Sequence, residues 1–150
     1  MATASLLIVL HYHFSCDRPL LWNPPLIQSI IAFIAVFAGL VIMIICIRKY
    51  FMDLSGIDAL LGKTRPVVLQ QDGMHAHVRH PLYFGTLLFV WAIFFGYPYL
   101  NNLISCICIT LYTLVGMYFE EKKLVVEFGG LYKKYQNTVP GLVPVIFLKM

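Results

Sequence analysis

The sequence predicts an all-α, polytopic membrane helix bundle of three to four transmembrane helices with a cytoplasmic C-terminal tail. Three observations carry that expectation. The 150-residue chain is 60% hydrophobic and only 12% charged, whereas soluble domains are roughly 45–50% apolar and about 25% charged. Its apolar residues gather in long runs without a single charge, and almost all of its basic residues lie on one side of those runs.

The first 15 residues are apolar but short for a span at about 1.5 Å per residue, so they read as a fourth helix that needs tilt or a locally thinned bilayer. No basic region opens the chain and no small-x-small cleavage site precedes Cys16, which argues against a signal peptide. Residues 26–47, 82–100 and 103–119 carry no charge. Each approaches the roughly 17–25 residues that cross a hydrocarbon core of about 30 Å. The last two are joined by a very short turn at Asn101-Asn102, so they must form an antiparallel hairpin.

Arg18 is the lone basic residue between the first two apolar segments. Arg48, Lys49, Lys63, Arg65 and Arg79 lie between the second and third, and Lys122, Lys123, Lys133, Lys134 and Lys149 follow the last. The positive-inside rule assigns that side to the cytoplasm, and the +4 net charge adds attraction to anionic membrane lipids. Nothing in the basic residues forms the clustered Arg/aromatic pattern of a nucleic-acid surface. Cys16, Cys46, Cys106 and Cys108 make no C-x-x-C pair, so neither a zinc site nor a disulfide framework is implied.

With no repeats and no low-complexity tract, residues 1–150 read as one integral-membrane domain. The long polar stretch from Arg48 to Arg79 reads as a short amphipathic helix plus turns, in which Pro66 to Gly73 is extended and closes in a turn at Asp72-Gly73. Helix is expected to run on from Glu120 until Gly129-Gly130. The apolar Val139 to Leu148, punctuated by Pro140, Gly141 and Pro144, is expected on the surface or as a cap over a site.

Pro81 suits the first position of a helix, where its missing N–H costs nothing. The free amides and positive dipole end of that helix then lie beside Arg79 and His80, a place that favours an anion. An antiparallel return brings Glu120 and Glu121 level with them, where two carboxylates at a helix C-terminus oppose the dipole by roughly 0.3–1 kcal/mol each. Arg79 with Lys122 and Lys123 can neutralise the pair as a headgroup-level anchor. Alternatively the cluster takes a zwitterionic ligand, its carboxylate on Arg79 and the helix N-terminus, its ammonium on Glu120 or Glu121, with Tyr83 against a cationic centre.

The ordered run Gly73-Met74-His75-Ala76-His77-Val78-Arg79-His80-Pro81-Leu82-Tyr83-Phe84-Gly85, then Glu120-Glu121, then Glu127-Phe128-Gly129 with Tyr132, Tyr135 and Val139-Pro140, resembles the integral-membrane isoprenylcysteine carboxyl methyltransferases and, more loosely, the phospholipid N-methyltransferases. The resemblance covers residues 67 to 144, the expected catalytic core. It implies S-adenosyl-L-methionine as methyl donor, a cofactor with a carboxylate, an ammonium and a cationic sulfonium, bound on the cytoplasmic side. It further implies that His80, Pro81, Leu82, Tyr83 and Glu120 hold this cofactor, with His75 and Glu121 as further cofactor-binding candidates, that Val67, Val68, Leu69 and Gln70 line its pocket, and that Gly85 matches the pattern. His75 stands where the family carries an aromatic residue. An arginine one turn before the acidic pair, linked in eukaryotic members to the prenylated substrate's carboxylate, is absent, and Gly116 stands near its place.

The expected reaction is methyl transfer to a lipophilic acceptor that enters from the bilayer, in-line and without a covalent enzyme intermediate, with reacting atoms about 3–3.5 Å apart. A prenylcysteine-type carboxylate needs only a cation such as Arg79 to orient it. A lipid amine or hydroxyl needs a base, for which His75, His77 or Glu121 are candidates. Two other classes compete. His11 and His13 can be axial ligands of a small haem- or quinone-binding subunit, a reading that leaves the acidic pair without a role. A noncatalytic membrane scaffold is the other, and no intramembrane charge marks a transport pathway.

Overall fold

The computed structural model describes residues 19–54 and 69–143. The expected first helix, with His11 and His13, and the pocket-lining Val67 and Val68 lie outside the described residues. What is described is helical: α1 (Leu26–Leu54), α2 (Pro81–Gly96), α3 (Leu100–Phe128) and α4 (Gly130–Thr138), with a 3-10 turn at Gly73–Ala76.

Two of these helices are long and apolar enough to cross a membrane, α1 over Leu26–Arg48 and α3 over its whole length. Their apolar side chains are largely uncovered by protein. Leu26 is 77% exposed, Phe33 74% and Tyr112 82%, an arrangement that water would penalise at about 25 cal/mol per Å² and that lipid does not.

The segment expected at 82–100 is shorter as a helix. It stops at Gly96 after 16 residues, about 24 Å at about 1.5 Å per residue. Pro98 is the cause: it bars helix for the residue before it, and Tyr97 turns away at φ −133°, ψ 80°. The turn is therefore Tyr97-Pro98-Tyr99, and Asn101 and Asn102 already belong to α3. Residues 19–21 pin this turn, through Leu21 N–H to the Pro98 carbonyl at 2.9 Å and Leu100 N–H to the Pro19 carbonyl at 3.2 Å.

α2 lies antiparallel between α1 and α3. On the α1 side the backbones nearly touch. A Cβ at Gly39 would stand 2.9 Å from the Gly85 carbonyl oxygen and 2.9 Å from the Phe89 nitrogen, and one at Gly85 would stand 2.8 Å from Ile42 Cγ2. Small residues allow this approach, which gives membrane helices their dispersion contact in the absence of a hydrophobic drive. Gly85, whose place in the expected pattern carried no clear role, thus has a packing role.

On the α3 side, Trp91 Nε1–H donates to Thr110 Oγ1 at 3.1 Å and Cys106 Sγ–H to the Val90 carbonyl at 3.1 Å. Hydroxyls that would otherwise be orphaned in lipid bond back one turn, as Thr86 does to the Leu82 carbonyl and Thr110 to the Cys106 carbonyl.

α3 continues past the acidic pair, as the sequence predicts, and breaks at Gly129. That residue sits at φ 55°, a region that side chains disfavour. The chain folds back as α4, whose Tyr132, Tyr135 and following Val139 form a buried cluster against Leu69, Leu124, Val125 and Phe128.

Candidate functional site

The antiparallel register of α2 and α3 brings Arg79 and His80, at the entry of α2, level with Glu120 and Glu121. The guanidinium of Arg79 meets Glu121 through Nη2 at 3.1 Å, and His80 Nε2 meets the same carboxylate oxygen at 3.2 Å. Gln136 of α4 donates to the other oxygen at 3.2 Å. Glu121 therefore holds three donors from two parts of the chain, the entry of α2 and α4. Its side chain is 22% exposed and that of Arg79 14%.

Glu120 is placed differently. Its side chain is 45% exposed, and the His80 Nδ1 contact is long at 3.6 Å. The Tyr83 hydroxyl is close enough for the two groups to interact electrostatically. The His80 ring lies between the two carboxylates and stacks on Tyr83, centroids 5.4 Å apart and 21° between planes. Carboxylates only accept, so the ring donates to Glu121 through Nε2 and, when protonated, can also donate to Glu120 through Nδ1.

Arg79 thus supplies the expected neutralising charge, and His80 adds a hydrogen bond to Glu121. Lys122 does not join it, for its ammonium lies 4.5 Å from the centroid of the Tyr118 ring. The expected cap is present in its described part. Arg79 N–H donates to the Pro140 carbonyl at 2.9 Å and His80 N–H to that of Gly141 at 3.0 Å. A Cβ at Gly141 would stand 3.1 Å from Arg79 Nη2, so the strap presses directly on the guanidinium. With those amides used, Pro81 lacking one, and Phe84 N–H bonded to the His80 carbonyl at 3.0 Å, the amides of Leu82 and Tyr83 are the open donors of the first turn.

The loop before α2 is fixed by His75. The expected turn at Asp72-Gly73 is present, with Gly73 at φ 64°. The Nδ1 of His75 lies 2.9 Å from the Arg79 carbonyl, which only accepts, so Nδ1 carries the proton. The His75 carbonyl in turn takes the Tyr135 hydroxyl at 2.6 Å. The geometry thus gives His75 a positioning role for Arg79. His77 is exposed.

Of the other expected cofactor residues, Pro81 is buried, Leu82 half-buried and Gln70 exposed, while Leu69 packs on the α4 cluster. The space facing the Tyr83 hydroxyl is open on α3, where a Cβ at Gly116 would come only within 3.9 Å of it.

Two residues beneath the site were not singled out as ligands by sequence reasoning. Gln136 reaches Glu121 only because of the Gly129 elbow, which no local pattern positions in space. Tyr132 is 1% exposed, and its hydroxyl is buried without a hydrogen-bond partner among the described residues, as are Arg79 Nε and Nη1. Burial pushes the Tyr132 phenol up to about 12, and the negative charge of Glu121 adds to this while Arg79 works against it.

No family model and no solved structure matches the chain. Curated relatives do. A protein named methanethiol S-methyltransferase from Crocosphaera subtropica is 31% identical over 84% of this chain and 51% of its own length. Methanethiol S-methyltransferase 2 of Bradyrhizobium diazoefficiens is 42% identical over 48% of this chain and 27% of its own. The protein-S-isoprenylcysteine O-methyltransferase of Schizosaccharomyces pombe is 37% identical over 53% and 34% respectively. The chain spans about half or less of the length of these relatives. On the helical hairpin, the acidic pair beneath it and these relatives together, the chain belongs to the isoprenylcysteine carboxyl methyltransferase family.

Proposed function

We propose that this protein is an S-adenosyl-L-methionine-dependent methyltransferase acting on a lipophilic acceptor at the membrane, with its site on the cytoplasmic side where the basic residues collect. The observation that carries the reading is the asymmetry of the acidic pair. Glu121 is spent on Arg79, His80 and Gln136, whereas Glu120 stands 45% exposed beside an aromatic ring.

The residues present fit the donor. Glu120 offers an accessible carboxylate to an ammonium, and Tyr83 offers a ring for a cationic centre. The amides of Leu82 and Tyr83 at the α2 N-terminus favour negative charge. Leu69 and Gln70 would line the cofactor pocket. The donor supplies a methyl group made electrophilic by a positive sulfonium. The protein's part is to orient that group, exclude water and admit a nucleophile from the bilayer between α2 and α3.

For the acceptor, a small thiol is the reading that Gly116 favours. At Gly116, where an added Cβ would stand 3.9 Å from the Tyr83 hydroxyl, α3 presents neither side chain nor cation, so the place suits a compact sulfur nucleophile better than a prenylcysteine carboxylate. Relatives named for methanethiol are in keeping with that choice. The protein's residues would align the thiolate with the methyl group and let the thiol's proton leave toward water.

Calorimetric titration of S-adenosyl-L-methionine into the detergent-solubilised protein, wild type against Glu120→Ala, tests the reading. Binding at sub-millimolar concentration that the variant loses is expected. A folded wild type that does not bind refutes it. Radiolabelled methyl transfer to a short alkanethiol, to a prenylcysteine analogue and to a total lipid extract then sorts the acceptor.

A further inference from the structure

We infer that Arg79 and Tyr132 form a buried receptor for one compact anionic group of a ligand, either the donor's carboxylate or the acceptor's thiolate. The inference rests on the methyl-transfer reading and extends it to a residue, Tyr132, that the sequence pattern does not assign to binding.

Glu120 faces the open mouth, and the buried acceptors around Arg79 are already engaged. Glu121 Oε1 already takes Arg79 Nη2 and His80 Nε2, and its Oε2 takes Gln136. The backbone carbonyls of Pro140 and Gly141 are spent on the amides of Arg79 and His80. What is left is a surplus of buried N–H and O–H. Arg79 Nε, Arg79 Nη1 and the Tyr132 hydroxyl have no partner among the described residues, and Tyr132 is 1% exposed.

The three belong to one place. Tyr132 stands one turn before Gln136 on α4, and Gln136 shares the Glu121 carboxylate with Arg79, so the buried phenol also feels the charge of Arg79 and of both carboxylates. Donors buried without acceptors are costly, and a guanidinium more so than a phenol, so a fold that leaves three together is complete only with an acceptor-rich group among them. A carboxylate or a thiolate suits the guanidinium, and the phenol adds a neutral donor to it. The absence of a Cβ on Gly141 preserves this geometry, because one would crowd the guanidinium at 3.1 Å. A second anion beside Glu121 is tolerable since that carboxylate is already matched by three donors.

The test uses Tyr132→Phe, which removes one oxygen and keeps the ring against Leu124, Val125 and Phe128. Wild type and variant are titrated with S-adenosyl-L-methionine and with its decarboxylated analogue, and acceptor KM is measured with a short alkanethiol. If the donor's carboxylate occupies the receptor, the variant binds S-adenosyl-L-methionine about tenfold more weakly, the loss expected for one hydrogen bond to a charged group, and binds the decarboxylated analogue unchanged. If the acceptor's thiolate occupies it, donor affinity is unchanged and acceptor KM rises about tenfold, with the pH–rate profile displaced to higher pH.

A variant unchanged in both overturns the inference. Failure of wild type to bind S-adenosyl-L-methionine refutes the methyl-transfer reading itself, a separate outcome. Should Tyr132→Phe not fold, as judged by thermal unfolding, Arg79→Lys keeps the charge but removes the fork of donors, and the same two readouts decide.

Discussion

Glu121→Gln and Glu120→Gln should have opposite consequences, although the two residues are adjacent and chemically identical. Glu121 joins Arg79 at 3.1 Å, His80 at 3.2 Å and Gln136 at 3.2 Å. Removing one partner of a fully buried pair costs about 3–5 kcal/mol, because the other charge is left without compensation. With the two side chains 14% and 22% exposed, solvent screens part of this and leaves a loss of about 2 kcal/mol. For a chain of this size that corresponds to a fall of roughly 4–8 °C in Tm.

Glu120 has only the 3.6 Å contact to His80 and the Tyr83 hydroxyl, at 45% exposure, so Glu120→Gln should cost under about 1 kcal/mol. It should instead weaken donor binding about tenfold or more. Thermal unfolding in one detergent, followed by calorimetry with S-adenosyl-L-methionine, reads both. If Glu121→Gln leaves Tm unchanged while Glu120→Gln lowers it, the division between anchor and ligand group is wrong.

Three further outcomes follow from the geometry. Gly39→Ala places a methyl 2.9 Å from two backbone atoms of α2, so α1 and α2 must separate, and a loss of about 1–3 kcal/mol is expected by thermal unfolding. Gly116→Leu fills the space before the Tyr83 hydroxyl, whereas Gly116→Ala fits at 3.9 Å; the leucine variant should keep donor affinity and lose acceptor turnover. The Tyr132 phenol is raised to about 12 in the fold from about 10 unfolded, so the folded state holds that proton more tightly. Its contribution is intact below pH about 10 and is lost as pH rises toward 12. Tyr132→Phe should flatten the stability–pH curve across that window, and an unchanged curve would remove Tyr132 as its cause.

Much of the site was legible in the chain because charges are rare in it. Arg79-His80-Pro81 at one helix entry and Glu120-Glu121 at the end of the next hairpin arm are juxtaposed by any short-turned antiparallel pair, and the described helices pair them. The positions of Gly73 and Gly129 were legible for a similar reason, since breaks in periodic sequence fall on residues that tolerate positive φ. The span expected to reach residue 100 was overlong because hydropathy does not register Pro98, whose effect is steric. Sequence order does not show that His75 Nδ1 holds the Arg79 carbonyl or that Arg79 Nη2 holds Glu121, because both contacts depend on how the loop folds over the helix ends.

By itself the sequence determined the helical class, the preference of those helices for lipid and the family pattern, because composition, charge-free run length and motif order are properties of the chain. The division of labour within the acidic pair was decided only in three dimensions. Two neighbouring glutamates differ by about 100° around a helix, and one points at the α4 elbow and the Arg79 guanidinium while the other meets the open mouth. Likewise the buried Tyr132 hydroxyl and the contact of Gly39 with α2 exist only where separate helices pack, since a hydrogen-bond deficit and a missing Cβ acquire meaning from what stands across from them.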